Sequence, residues 1–453
     1  MSTAVDAAAA GSAPGVGTTP PVDPTGPEET AYRRLVRAIG RGNPLVILLS
    51  FVLAFAIGSV LIVVADQNVR ETATYFFARP TDTFVAIWDA ISQAYAAMFR
   101  GAIFDYEAST AARAFRPLTE TLTIATPLII AATGMAVGFR AGLFNIGGTG
   151  QLIVGAMAAG YVGFTWKLPV GIHLLVAIAA GVIAGALWGG FAGFLKARFE
   201  ANEVISTIML NWIATYMLFF ALKTDAFTGT NKAQPTSPAI SDTASLPLLL
   251  GDRYRVNLGL LIALLAIVLL WWLMNRSTLG FRFRAVGSNP RAAQVAGIST
   301  ARASFGVMLV AGALVGLAGA VHILGTEKRL TDGIAGSVGF DAITVALLGA
   351  SGPIGILLAG LLFAALSTGG RLMETTQGVP LDLVQVIQAL VVLFIAAPPL
   401  VRTIFGMRAR AGGRKRPVGK RRRAAGEGAA IAAGGAAAAS EDTSAARSKG
   451  TDR

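Results

Sequence analysis

Apolar runs recur along the chain at residues 45–64, 118–138, 142–164, 168–195, 203–222, 256–274, 303–324, 338–351, 353–369 and 380–400. Most are close to the roughly twenty residues that a helix needs to cross the hydrocarbon core of a bilayer. Lipid offers no partner to an exposed backbone N–H or C=O, so runs of this kind cross as helices. The pattern predicts an all-α integral membrane protein with about ten transmembrane helices. The pair 338–351 and 353–369 is broken at Gly349, Gly352, Pro353 and Gly355, and its first member is short for a full crossing. Residues 82–104 are moderately apolar but interrupted by Asp89, Gln93 and Arg100, which predicts an amphipathic helix outside or at the interface.

Composition supports the bilayer as solvent. Of 453 residues, 54% are hydrophobic and only 14% charged, with a mean hydropathy of +0.62, too apolar for a water-soluble domain. Charge then orients the spans. Arg33, Arg34, Arg37 and Arg41 precede the first run, and a basic stretch from Arg408 to Arg423 follows the last, which predicts cytoplasmic termini and an even number of crossings. With ten, the loop 275–302 is cytoplasmic. It carries Arg276, Arg282, Arg284, Arg291 and Arg302 and no acid. The net charge of +13 is read as this bias and as contact with anionic membrane lipid, not as a nucleic-acid surface. Residues 1–40 form a predicted disordered cytoplasmic extension, 41–401 the membrane domain, and 402–453 a basic, disordered cytoplasmic tail. The first apolar run starts near Pro44, too far in for a cleavable signal, and reads as a retained helix. With no cysteine and two histidines, His173 and His322, the sequence offers no thiolate chemistry and little for a metal; no metal and no cofactor are expected.

Polar residues inside apolar runs mark the candidate chemistry. In 141–160, Asn145, Thr149 and Gln151 sit among six glycines, a pattern that packs helices closely or lines a route for a solute. Glu203, Ser206 and Asn211 follow one another at helical spacing at the start of 203–222, where Glu203 is either an anion at a helix N-terminus or part of a pathway. Asp341 and Thr344 share a face of 338–351, and an acid there is a functional candidate by default. Glu120 is a similar, weaker case at a helix start. In the basic loop, Asn289 or Ser288 can cap a short helix from Arg291 to Ala296 that stops at Gly297.

FNIGGTGQ at 144–151, NEVISTIMLNWIA at 202–214, GSNPRAAQVAGI at 287–298 and GFDAITVALLG at 339–349 together resemble the inner-membrane permeases of bacterial ABC importers. The resemblance covers roughly 117–400 and is to the nucleoside and simple-sugar branch of a group that also handles branched-chain amino acids. It implies a type II importer-like bundle in the cytoplasmic membrane that moves a nucleoside or simple sugar. The implied partners are two cytoplasmic ATP-binding subunits, a second and distinct permease, and an external substrate-binding lipoprotein. It also implies that Gly287, Asn289, Pro290, Arg291, Ala292, Ala293 and Gly297 form the helix that docks on the ATPase. No GxxxxGK[ST] loop is present, so nucleotide chemistry falls to the partner and no enzymatic activity is expected of this chain. A self-sufficient secondary transporter or channel would need more intramembrane charge, and an intramembrane enzyme would need a nucleophile–base pair or a metal cluster.

Overall fold

The apolar runs all fold as helices. A computed structural model describes residues 44–228 and 235–405. In chain order the helices are α1 (Pro44–Ala65), α2 (Gln67–Ala73), α3 (Pro80–Ala102), α4 (Ala111–Ala114), α5 (Arg116–Arg140), α6 (Gly148–Thr165), α7 (Ile172–Phe199) and α8 (Glu203–Ala221). They continue as α9 (Gly259–Arg276), α10 (Thr278–Ser288), α11 (Pro290–Val295), α12 (Thr300–Val321), α13 (Val338–Leu348), α14 (Pro353–Gln377), α15 (Leu381–Ala396) and α16 (Pro398–Ile404). There is no β-strand among the described residues. The predicted extension 1–40 and, from residue 406, the predicted tail lie outside the described residues.

Ten predicted runs thus become ten helical segments, but fewer of them qualify as spans. Among the described residues, seven helices are long and apolar enough to cross a membrane, or eight if α15 and α16, bent by 93° at Ala397, form one. Two segments fall short for visible reasons. Helix α6 starts only at Gly148 and opens on a polar turn through Gln151, and α13 has 11 residues, about 16 Å of helix. The protein is a multi-pass, all-α membrane protein.

Helix α5 is the centre of the bundle. Within the span that includes it, 83% of the most apolar window is buried, against 22% for α1. That position demands an internal answer for each polar atom, and its threonines supply one. Thr123 and Thr126 donate to the carbonyls of Thr119 and Leu122 one turn back, and Thr121 donates to Ala102 at the end of α3. Helices α7 and α12 meet through glycine. A Cβ on Gly185 would lie 2.5 Å from the Gly312 carbonyl oxygen and from the Gly316 Cα, so the two backbones touch where side chains would hold them apart. Helix α3 is amphipathic as predicted, yet it is built into the bundle. Its small face, with Ala94, Ala97 and Gly101 buried, packs on α14, and the Tyr95 hydroxyl donates to the Phe55 carbonyl of α1 at 2.7 Å.

Candidate functional site

The predicted site residues separate into three places. The first is a closed polar lock between the start of α6 and α8. Asn145 and Gln151 face each other in a reciprocal amide pair, Nδ2 to Oε1 at 3.1 Å and Nε2 to Oδ1 at 3.3 Å, and Asn145 Oδ1 also accepts from the Gly147 N–H. Asn211, two turns into α8, reaches across with both ends of its amide. Its Oδ1 accepts from the Gly150 N–H at 2.8 Å and its Nδ2 donates to the Ile146 carbonyl at 2.9 Å. Thr207 Oγ1 accepts from the Ile146 N–H. Exposure of these side chains is 0–7%. The backbone is irregular from Leu143 to Gly147, and its orphaned amides find side-chain partners here. Two predicted members stand apart. The Thr149 hydroxyl is buried without a partner at the seat of Gly339, and Ser206, half-buried, makes no side-chain hydrogen bond among the described residues. Glu203, just below the lock, pairs with Lys196 from the last turn of α7 at 2.6 Å.

The second place is open. Asp341 and Thr344 of α13, predicted to share a face, line one cavity of about 310 Å³ with Ser367 and Arg371 of α14 and Gln385 and Gln388 of α15. The volume is at the lower end of small-molecule sites. Asp341 Oδ2 accepts from Ser337 Oγ at 2.6 Å. Gln388 Nε2 donates to the Phe363 carbonyl and to Ser367 Oγ, at 3.3 and 3.1 Å, leaving its carbonyl oxygen without a partner among the described residues. The last four residues were missed in the sequence, although the signal existed. Gln385 and Gln388 are amides three apart in an apolar run, and Ser367 and Arg371 lie four apart, so each pair shares a helix face.

The third place is the basic loop. Helix α11 is capped as predicted: Asn289 Oδ1 accepts from the Ala292 N–H at 3.1 Å, Pro290 occupies the first turn, and Gly297 ends the motif at φ +80°. Of the predicted docking residues, Arg291 and Ala292 face outward. Ala293 does not. It is 4% exposed and packs with Val286 and Ala303. Gly287 also serves packing, because a Cβ there would meet the Arg140 carbonyl at 2.6 Å. The outward apolar residue is Val295, 92% exposed, which no feature of its neighbours in the sequence set apart.

The remaining singled-out residues have local partners. Glu120 pairs with Arg255 at 3.4 Å. His173 meets Thr243 Oγ1 through Nδ1 at 2.7 Å and donates from Nε2 to the Val162 carbonyl at 3.0 Å. His322 Nε2 lies 4.0 Å from Glu327, and its Nδ1 is buried without a partner.

Residues 118–396 match the model of the family described as branched-chain amino acid transport system / permease component. The guanosine ABC transporter permease protein NupP of Bacillus subtilis is 42% identical over 301 residues, 65% of this chain and 84% of the relative. The glucose ABC transporter permease protein TsgB13 of Haloferax volcanii is 38% identical, covering 65% and 78%, and the nucleoside ABC transporter permease protein NupB of Lactococcus lactis 36%, covering 64% and 81%. The same three organisms each have a second permease that matches at 25–28% identity. No solved structure matches the chain. Family membership also implies ATP-binding and substrate-binding partners, and it accounts for a helical bundle with polar residues inside and a capped helix outside: the chain belongs to the permease component family of branched-chain amino acid transport systems and is the membrane-embedded permease subunit of an ABC importer, a transport subunit and not an enzyme.

Proposed function

We propose that this permease carries a nucleoside across the bacterial cytoplasmic membrane, and that the cavity between α13, α14 and α15 lies on its route. The observation that carries the reading is the lining of that cavity. A concave surface bearing a carboxylate, a guanidinium, two amides and hydroxyls is not stable against lipid tails and fits a watered path. Guanosine and nucleoside permeases at 42% and 36% identity support the solute class. The glucose permease at 38% supports a second reading, a simple sugar. The pairing of permeases in those organisms supports a heterodimer with a distinct paralogue. With α6 completing a sixth crossing ahead of it, the basic loop shares the cytoplasmic side with the N-terminus, so that α11 presents Arg291, Ala292 and Val295 to the ATP-binding subunits and an external lipoprotein delivers the solute on the other side. The polar lock of Asn145, Gln151 and Asn211, with Thr149, Ser206 and Glu203 around it, sets the shape of the route's wall. Closure of the ATPase dimer biases a bundle with two arrangements, which is all that alternating access requires.

Uptake of radiolabelled guanosine and glucose by cells lacking the chain, with and without complementation, tests the reading. Loss and return of guanosine uptake is expected. Loss of glucose uptake alone would keep the permease and replace the solute, and indifference to both would remove the proposal.

A further inference from the structure

We propose that Asp341 receives a vicinal diol of the solute, so that the cavity accepts ribonucleosides and hexoses and discriminates against 2′-deoxynucleosides; the inference rests on the reading of this cavity as the solute route. The carboxylate is set up as a receiver. Its Oδ2 takes one hydrogen bond, from Ser337 Oγ at 2.6 Å, and Oδ1 takes none among the described residues. None of the ion pairs among the described residues includes it, although Arg371 lines the same cavity. On the same lining, Gln388 of α15 spends both N–H donors on Phe363 and Ser367 and leaves an acceptor. Beside Asp341 and Gln388 the wall thus keeps a carboxylate oxygen and an amide oxygen as acceptors, while the Arg371 guanidinium and the Gln385 amide supply donors on the same lining; neighbouring hydroxyls, which donate and accept, complement both.

Two adjacent hydroxyls can meet a carboxylate with two charge-assisted hydrogen bonds, each roughly twice as strong as a bond between neutral groups. Guanosine and glucose differ in size and in the presence of a base, but both carry vicinal hydroxyl pairs, 2′ and 3′ on the ribose and several around the hexose. One acceptor pair can thus serve a family whose members are named for nucleosides and for glucose. An analogue lacking one hydroxyl leaves a carboxylate oxygen desolvated and unpaired, which is how a polar site rejects a solute of nearly the same shape.

The test compares guanosine with 2′-deoxyguanosine at concentrations that saturate uptake, in cells lacking the native chain and carrying wild-type chain or Asp341→Asn at equal membrane levels. Wild type is expected to move guanosine about tenfold faster, the scale of one hydrogen bond to a charged group, and Asp341→Asn to bring the two rates together. An unchanged ratio in Asp341→Asn, with guanosine uptake still dependent on the chain, overturns the diol contact and leaves the permease reading standing. Equal wild-type rates for the two solutes overturn it as well. Absence of any chain-dependent uptake of guanosine or glucose overturns both readings together. Should Asp341→Asn stop both solutes, Asp341→Glu decides: return of the guanosine preference supports the contact, and equal loss of both solutes overturns it.

Discussion

The lock at Asn145, Gln151 and Asn211 and the cavity at Asp341, Gln385 and Gln388 are written in the same residue types, yet they differ in what their polar atoms face. In the lock, amides bond to each other and to the backbone of 146–150, and side-chain exposure is 0–7%. In the cavity, Asp341 and Gln388 line about 310 Å³ of space, and each keeps one oxygen without a hydrogen-bond partner among the described residues. A polar residue in a membrane helix is costly in either place. Whether the cost is offset by the fold or left for a solute to offset is decided by partners, not by residue type.

The largest effect is expected from breaking the lock. Asn211→Ala strips the Gly150 N–H and the Ile146 carbonyl of their partners at once, and each buried orphan costs about 1–3 kcal/mol. Purified Asn211→Ala should melt several degrees below wild type, with the guanosine to 2′-deoxyguanosine ratio of the surviving protein unchanged. Wild-type melting with an altered ratio would move Asn211 from scaffold to solute route.

The basic loop repeats the contrast between an inward and an outward residue. Val295 is 92% exposed and Ala293 is 4% exposed, two positions apart on α11. Val295→Asp should leave melting unchanged and reduce co-purification of the ATP-binding subunits about tenfold, some 1.4 kcal/mol. Ala293→Glu puts a charge against Val286 and Ala303 and should lower stability first. Equal recovery of the ATP-binding subunits with Val295→Asp would remove α11 from the docking surface.

A smaller change is expected in the cavity. Gln385 is exposed and lines the same wall as Gln388, so Gln385→Ala should slow guanosine uptake about threefold, within the 0.5–1.5 kcal/mol of one ordinary hydrogen bond, with melting within error of wild type. A drop in melting of the size seen with Asn211→Ala would erase the distinction between the two regions.

Much of this was legible in the chain. Apolar length gave the ten apolar segments, though not α2, α4 or α10, and the cap, proline and glycine of 289–297 gave α11 almost to the residue, because both are local signals. Asp341 and Thr344 were found together because three residues of helix separate them. The partners of Asp341 in the cavity were not found, since Ser367, Arg371, Gln385 and Gln388 come from two other helices and only packing brings them together. The same limit hid the lock. Asn145, Gln151 and Asn211 were recognised as unusual, but 61 residues separate Gly150 from Asn211, and nothing local shows that they satisfy each other. The resemblance put Ala293 in the docking helix as part of a whole motif, and a six-residue helix has no second turn from which to read its inward side.

Glu203 is where the comparison is finest, for it borders the lock and carries a charge like that of the cavity. Its carboxylate meets Lys196 at 2.6 Å, with side chains 17% and 28% exposed, and it stands in the first turn of α8, where the helix dipole favours an anion. A partly exposed pair of this kind contributes about 0–1 kcal/mol, and a glutamine can still accept from the Lys196 ammonium. Glu203→Gln should therefore cost less than about 1 kcal/mol in melting, a cost that shrinks further as salt is added, and should leave uptake unchanged. If uptake instead falls severalfold while melting holds, Glu203 acts with Asp341 along the route, and the boundary between scaffold and pathway runs through the first turn of α8.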